Sequence, residues 1–110
     1  MNILQIADEM NWEKLALPNP TANVSGGYAG DLLSWVMSRA EEGQIWVTIM
    51  TNINILAVAS LSGVSAIVVA EGAEVSSEVI DKANEQEINL LRSKLSAFDI
   101  VCSIGRNIGI

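Results

Sequence analysis

Residues 44–70 carry no charge, and this stretch constrains the fold more than any other feature of the chain. Its length would suit a membrane-spanning helix. However, polar residues and a glycine interrupt it at short intervals, and its apolar residues change from β-branched to leucine- and alanine-rich and back. The pattern predicts a buried strand, a helix and a second buried strand: Ile45–Met50, Ile53–Leu61 and Ala66–Ala70. We expect Asn52 to cap the start of this helix and Gly63 its end.

The same alternation continues on both sides of this unit and predicts an α/β class with a largely parallel sheet. Because 110 residues suffice for one core, we expect a single domain over residues 1–110. Asp31 is predicted to cap the second helix, and Gly43 to end it. The further predicted elements are a helix over Ile3–Met10, strands over Glu13–Leu17 and Val24–Tyr28, a helix from Leu32 to about Ala40, a helix from Ser76 or Ser77, a strand over Asn89–Leu91 and a helix from Ser96 to Asn107.

The charge balance excludes several classes of function. The net charge is −7, and the six Lys and Arg residues form no basic stripe, so we expect neither nucleic acid nor an acidic membrane surface as a partner. With no histidine and one cysteine, we expect no metal site and no internal disulfide. Cys102 lies among apolar residues, which predicts a buried, unreactive thiol. Asp8 and Glu9 occur where an export signal would need a basic start and an apolar run, so we expect a cytoplasmic location.

The main candidate site is the stretch Val24–Asp31, which has three glycines in five positions. A strand that leads into a glycine loop and then a helix brings backbone N–H groups close to a ligand above the helix N-terminus. Because turns that follow parallel strands meet at one edge of the sheet, other turns should join this loop. The residues predicted to bind a ligand there are Ser25, Gly26, Gly27, Tyr28, Asp31, Thr51, Asn54 and Glu71.

Each of these features also has a structural interpretation, and the sequence leaves both open. The glycines are also consistent with a tight strand-to-helix turn, and Asp31 with a helix cap. Thr51 and Asn54 are consistent with bracing the central helix, and Glu71 with a solvated turn. The glycines do not form a nucleotide-binding P-loop, because no Gly-Lys-Ser/Thr follows them. Since no second titratable group is placed beside Asp31, we predict no catalytic residues.

Four separated segments resemble one known family in order and spacing. They are Ser-Gly-Gly-Tyr-Ala-Gly-Asp-Leu-Leu-Ser at 25–34, Trp-Val-Thr-Ile-Met-Thr-Asn-Ile-Asn at 46–54, Ala-Glu-Gly at 70–72 and Leu-Ser-Ala-Phe at 95–98. Together they resemble the DRTGG domain in its small stand-alone form, over nearly the whole chain. The resemblance implies a single DRTGG-like, three-layer α/β domain with a mostly parallel central sheet, similar to the N-terminal domain of HPr kinase/phosphorylase.

Domains of this family occur between CBS domains in regulatory pyrophosphatases and beside the catalytic domain of some phosphate acetyltransferases. The resemblance therefore implies regulation or assembly rather than chemistry, and it implies a homodimer. The chain departs from the family at the Asp-Arg pair that gives the family its name. That pair aligns with Thr21 and Ala22, and the following threonine aligns with Ser25, so only Gly26 and Gly27 are retained. The arginine that would hold an anionic group is therefore absent from this position.

Two functions from different classes follow from these observations. The first is a non-catalytic regulatory domain that senses a small polar or phosphorylated ligand at the glycine-loop cleft and acts through a homodimer. The second is a homodimeric protein–protein interaction adaptor in which the glycine loop is purely structural. Both would act on a partner enzyme or signalling protein, and neither requires a cofactor. Trp35, on a surface helix near the glycine loop, is predicted to lie at a subunit contact.

Overall fold

The computed structural model describes residues 1–109, in which helices and strands alternate as the sequence predicts. In chain order the elements are α1 (Ile3–Glu9), β1 (Glu13–Ala16), β2 (Gly26–Ala29), α2 (Leu33–Arg39), β3 (Gln44–Thr48), α3 (Asn54–Ser62), β4 (Ala66–Val69), α4 (Ser77–Glu85), β5 (Leu90–Arg92) and α5 (Ala97–Ile108).

The strands form one five-stranded sheet in the order β1-β5-β4-β3-β2. The four strands β2 to β5 run parallel, and β1 pairs antiparallel with β5 at one edge. Every residue of β4 is buried, as are four of the five residues of β3. Strands that are buried on both faces need a covering layer on each side, which explains their continuous apolar sequences.

Helices supply these two layers. On one face, α1 and α5 pack against side chains such as Ile45, Val47 and Val68. On the other face, α2, α3 and α4 pack against Trp46, Ile67 and their neighbours. The prediction of a three-layer α/β domain with a mostly parallel sheet is therefore confirmed.

The uncharged stretch of residues 44–70 folds as β3, α3 and β4, in agreement with the prediction of strand, helix and strand. The nine-residue helix α3 buries Ile55, Leu56, Val58 and Ala59 within the domain. Across residues 1–109, no helix combines the length and the apolar character needed to span a bilayer.

The glycine-rich stretch differs from its prediction, because β2 begins at Gly26 instead of Val24. The register pairs Gly26 with Gln44 and Ala29 with Val47, so two of the three glycines lie within the strand and not in a loop after it. Neither Gly26 nor Gly27 has a positive φ, and a Cβ atom at either would make only ordinary contacts. The parallel pairing with β3 decides this placement, and pairing between distant strands leaves little local trace in sequence.

Two predicted helix caps of α2 are wrong. Leu32 occupies the N-cap position without a side-chain hydrogen bond, because the Asp31 carboxylate bonds elsewhere. The helix ends at Arg39, where Ala40 turns into extended backbone, well before Gly43. Gly43 instead has a φ of +85° and forms the turn into β3.

The other helix ends agree more closely with the sequence. Ser76 and Ser96 accept hydrogen bonds from the N–H groups of Val79 and Asp99, and Gly63 ends α3 in the left-handed conformation. The helix α3 begins at Asn54 with Ile53, and not the predicted Asn52, at its N-cap position; the Asn52 Oδ1 atom accepts from the Asn54 N–H. Cys102 is half-buried on α5 and not fully buried as predicted.

We expect the Gly43→Ala substitution to lower the free energy of unfolding by about 1–3 kcal/mol. A Cβ atom at this position would lie 2.7 Å from Ser25 Oγ, on backbone with positive φ. The matched control is Gly27→Ala, where the nearest atoms would be 3.6 and 3.7 Å away. That variant should stay within about 1 kcal/mol of the wild type in urea denaturation. A Gly27→Ala chain that fails to fold would contradict this account.

Candidate functional site

The structure separates the predicted site residues of the stretch 25–31 into three groups along β2. Ser25 and Gly26 lie where β2 begins, at the amino edge of the parallel sheet, and Gly27 and Tyr28 lie within the strand. Asp31 lies beyond the carboxyl end of β2, on the order of 10 Å away from Gly26 for a four-residue strand. Gly26 and Gly27 therefore do not share one loop with Asp31.

The group at the amino edge has a structural role. The Ser25 hydroxyl donates to the Glu42 carbonyl at 3.1 Å. The buried Ser65 hydroxyl donates to the carbonyls of Asn23 and Gly43, and the Asn89 amide donates to the Asn19 and Ser65 carbonyls at 2.8 and 2.9 Å. These bonds tie the chain segments that run along the amino edge to one another.

An open cleft of about 590 Å³ lies beside these bonds, and its lining includes Thr21 and Ala22. The side chains of Ser25, Ser65 and Asn89 are already bonded to backbone carbonyls there. The donors of these three side chains are therefore used within the protein.

Asp31 does lie at the carboxyl edge, but it holds the turn after β3. One oxygen of its carboxylate accepts from the Thr48 hydroxyl at 2.7 Å and from the Ile49 N–H at 2.9 Å. The Thr48 hydroxyl accepts in turn from the Met50 N–H at 3.1 Å. Asp31 therefore joins the end of β2 to the end of β3 and shapes the backbone that leads to Thr51.

The carboxyl edge carries two adjoining clefts, which together we call the carboxyl-edge site. The first has a volume of about 750 Å³ and lies between the first turns of α3 and α4; its lining includes Thr51, Asn52, Ser76 and Glu78. The second, of about 730 Å³, lies between the turns around β1, β4 and β5; its lining includes Asn11, Trp12, Gly72 and Lys94. The two clefts share Glu74 and Arg92.

Arg92 is the central charged group of this site. It ends β5, and its guanidinium forms a bidentate ion pair with Glu13 of β1, with Nε–Oε2 and Nη2–Oε1 distances of 2.9 and 2.8 Å. Nη1 donates to the Ala73 carbonyl at a longer 3.4 Å. Lys94 follows two residues later, and among the described residues no carboxylate forms an ion pair with it.

Neither basic residue is among the predicted site residues, although the sequence carries a signal for both. Arg92 and Lys94 follow the predicted strand Asn89–Leu91, just as Thr51 and Glu71 follow the two strands before it. Of the eight predicted site residues, only Thr51 lines the carboxyl-edge site. Glu71 lies in the adjacent turn, and Asn54 is exposed at the start of α3.

Backbone strain marks the turn after β4. Glu71 has a φ of +61° and Gly72 a φ of +63°, and a positive φ is uncommon for a non-glycine residue. The N–H groups of both residues donate to the carbonyls of Leu95 and Ser93 at 2.8 Å, so the segment after β5 holds this turn in place. Strained backbone of this kind often accompanies functional sites.

The topology explains the shape of these clefts. From β2 to β5 the strand order never reverses, and α2, α3 and α4 lie on the same face. The deep crevice that opens where strand order reverses in doubly wound sheets is therefore absent along these strands. After β5 the chain crosses to the face that α1 covers, and the N–H groups of Glu71 and Gly72 bond to the segment that makes this crossing. Within residues 1–109, no cluster of three or more His, Cys, Asp or Glu side chains could hold a metal ion.

Comparison with known proteins supports the fold. No protein-family model matches this sequence, and no curated protein is similar enough to match it. Among solved structures, the CBS and DRTGG domains of the regulatory region of Clostridium perfringens pyrophosphatase, complexed with the activator diadenosine tetraphosphate, are similar to this chain. The TM-score is 0.69 at 19% sequence identity, over 94% of this chain and 47% of that one.

This chain therefore spans about half the length of the regulatory region that it resembles. At 19% identity the likeness shows a shared fold, and it agrees with the three-layer fold that the resemblance to the DRTGG domain implies. Membership of the DRTGG family itself stays a prediction. Activator binding is a property of that pyrophosphatase region as a whole, which carries two kinds of domain.

We expect Asp31→Ala to lower the free energy of unfolding by about 1–3 kcal/mol, because it leaves the buried Thr48 hydroxyl and the Ile49 N–H without their acceptor. Asp31→Asn keeps a carbonyl oxygen at this position, so its free energy of unfolding should fall by less. Amide exchange at Ile49 should accelerate only in the alanine variant. Asp81→Ala, on the exposed face of α4, is the control and should change stability by no more than about 0.5 kcal/mol. Equal decreases in the free energy of unfolding for Asp31→Ala and Asp81→Ala would show that Asp31 does not stabilise the turn after β3.

Proposed function

We propose that this chain is a non-catalytic regulatory domain that senses a small polar or phosphorylated ligand at the carboxyl-edge site and acts through a homodimer on a partner enzyme or signalling protein. In this proposal residues 1–110 form a single DRTGG-like domain. The observation that carries it is that Arg92, Lys94 and Thr51 converge on one edge of the sheet, beside the first turns of α3 and α4.

The charges of this edge favour a phosphorylated ligand more than the rest of the surface does. The chain has 13 acidic and 6 basic residues, and two of the basic residues lie here. Arg92 and Lys94 suit phosphate differently, since a guanidinium binds two oxygens in a fixed plane and an ammonium acts as a point charge. The positive ends of the α3 and α4 dipoles add to their effect. The carboxylates of Glu13, Glu74 and Glu78 oppose it, so a ligand with polar groups besides its phosphate fits best.

The Arg92–Glu13 ion pair suggests how binding would be transmitted. This pair joins the end of β5 to the start of the edge strand β1. A phosphate that binds the Arg92 guanidinium competes with Glu13 for the same donors. Occupancy of the site would then loosen β1 from the sheet and alter the surface that a partner meets.

The fold likeness supports regulation over catalysis. The similar structure is the regulatory region of an enzyme and carries a phosphorylated activator. The carboxyl-edge site offers no histidine, and the carboxylate of Glu13 is engaged by Arg92.

The interaction adaptor remains the second candidate function. It is favoured by the engagement of Arg92 with Glu13, which satisfies the guanidinium without a ligand, and by large apolar side chains that are exposed on α2, α3 and α5, such as Trp35, Leu61 and Phe98.

A thermal-shift titration with diadenosine tetraphosphate, ATP, AMP, inorganic phosphate and sulfate tests the sensing proposal. A probe at a hundredfold excess over its Kd should stabilise the native state by about 2.7 kcal/mol, which raises the Tm by roughly 10 °C for a domain of this size. Lys94→Gln and Thr51→Val should reduce the shift. The matched substitutions Lys82→Gln on α4 and Thr21→Val at the amino edge should leave it unchanged.

Two results would contradict the sensing proposal. No shift with any of the five probes would favour the adaptor. A thermal shift that survives Lys94→Gln and Thr51→Val but disappears in Ser25→Ala would place the binding site at the amino edge. Ligand binding by the glycine-rich stretch would then be supported.

A further inference from the structure

The two edge strands of the sheet differ in how they are protected against pairing with another chain. The strand β1 carries the charged residues Glu13 and Lys14, and its register with β5 shifts between Lys14 and Ala16. Charges and irregular pairing are the usual means of blocking an exposed edge. The strand β2, Gly26–Ala29, has no charge and no proline, and its register with β3 is regular along its length. Within residues 1–109 its outer side is unpaired.

An apolar cleft of about 280 Å³ adjoins this open edge. It lies between β2 and α5, and its lining is Gly27, Tyr28, Ala29, Val47, Val101, Ile104 and Gly105. A Cβ atom on Gly27 would lie 3.7 Å from Ile104 Cγ2, so the absence of a side chain at Gly27 leaves room in the cleft.

A large apolar side chain projects next to this cleft. Phe98 is 75% exposed in the first turn of α5, and Val101 is 43% exposed one turn later. Phe98, Val101 and Gly105 follow one another at spacings of three and four residues, so they share one face of the helix. This face therefore presents both a projecting ring and a cleft large enough to receive one.

We propose that β2 pairs antiparallel with β2 of a second copy of this chain, across a two-fold axis, and that Phe98 of each copy packs into the cleft of the other. This interface rests on the proposed function, in which the chain acts as a homodimer, and names the surface that forms it. The pairing would continue the sheet from one copy into the next and satisfy the open backbone edge of both.

Two features make a second copy the fitting occupant. In a two-fold interface the same surface of both copies takes part, so this surface must carry both the projecting side chain and the cleft that receives it. The surface with Phe98 and the cleft beside α5 carries both. Each chain carries a net charge of −7, so two copies repel each other over most of their surfaces. The residues of β2 and of the cleft carry no charge, and neither does Phe98. The two exposed charged residues of α5, Asp99 and Arg106, have opposite signs, so two copies can approach there without a surplus of acidic groups.

The predicted subunit contact at Trp35 is the competing interface. Trp35 is 51% exposed on α2, but the Arg39 guanidinium already lies 3.6 Å from its ring centroid. Its exposed face is thus partly covered by a cation–π contact within the same helix. Substitutions at Phe98 and at Trp35 therefore distinguish the two surfaces.

Sedimentation velocity and light scattering on the full chain test this interface. The wild type should have twice the 11.8 kDa mass of the chain. Phe98→Glu, and separately Ala29→Lys, should raise the dimer Kd by roughly tenfold or more while the circular dichroism spectrum stays unchanged. Leu61→Glu is the matched control, because Leu61 on α3 is also 75% exposed, and it should remain dimeric.

A cross-linking experiment tests the geometry directly. Phe98→Cys and Gly105→Cys chains, each in a Cys102→Ser background, should form a disulfide between position 98 of one copy and position 105 of the other when mixed under mild oxidation. A Leu61→Cys chain mixed with the Gly105→Cys chain should not.

Three outcomes would overturn the interface. If the wild type is monomeric up to its solubility limit, β2 does not pair with a second copy and is free to pair with a strand of another protein. The homodimer of the proposed function would then be wrong as well. A dimer that withstands both Phe98→Glu and Ala29→Lys would place the interface elsewhere. So would a dimer that dissociates in Trp35→Glu and not in Phe98→Glu. In each case the thermal shift still reports separately on ligand sensing.

Discussion

Burial of β3 and β4 on both faces is the constraint on which the rest of this structure depends. Side chains alternate along a strand, so Ile45 and Val47 point to one helical layer and Trp46 to the other. No polar face is left to meet water, and a helix must cover each side. The chain satisfies this with α2, α3 and α4 on one face and with α1 and α5 on the other.

The position of the candidate site is a consequence of this arrangement. Parallel strands end at the same edge, so residues that are far apart in sequence, such as Thr51 and Arg92, come together there. The edge is shallow because the strand order does not reverse between β2 and β5. Its chemistry comes from side chains that end strands and start helices, and the ion pair of Arg92 with Glu13 links this chemistry to the stability of β1.

The two edge strands of the sheet, β1 and β2, differ in charge and in the regularity of their pairing. The edge strand β1 is charged, irregular in register and tied to β5 by the Arg92–Glu13 pair. The edge strand β2 is uncharged, regular and adjacent to an apolar cleft with the exposed ring of Phe98 beside it. Gly26 and Gly27, which were predicted to belong to a ligand loop, thus lie in the open edge strand, and Gly27 lines the cleft beside α5.

The sequence by itself determined the helices, the strands and the fold class. Strands that are buried on two faces have continuous apolar sequences, and helix caps such as Ser76, Ser96 and Gly63 act within a few residues. It also determined that the turns after the strands would share an edge. Only the tertiary structure decided where β2 begins, what Asp31 binds, and that Arg92 meets Glu13. These depend on pairing between distant segments, and residues such as Gly26 and Gln44 carry no local signal of their register.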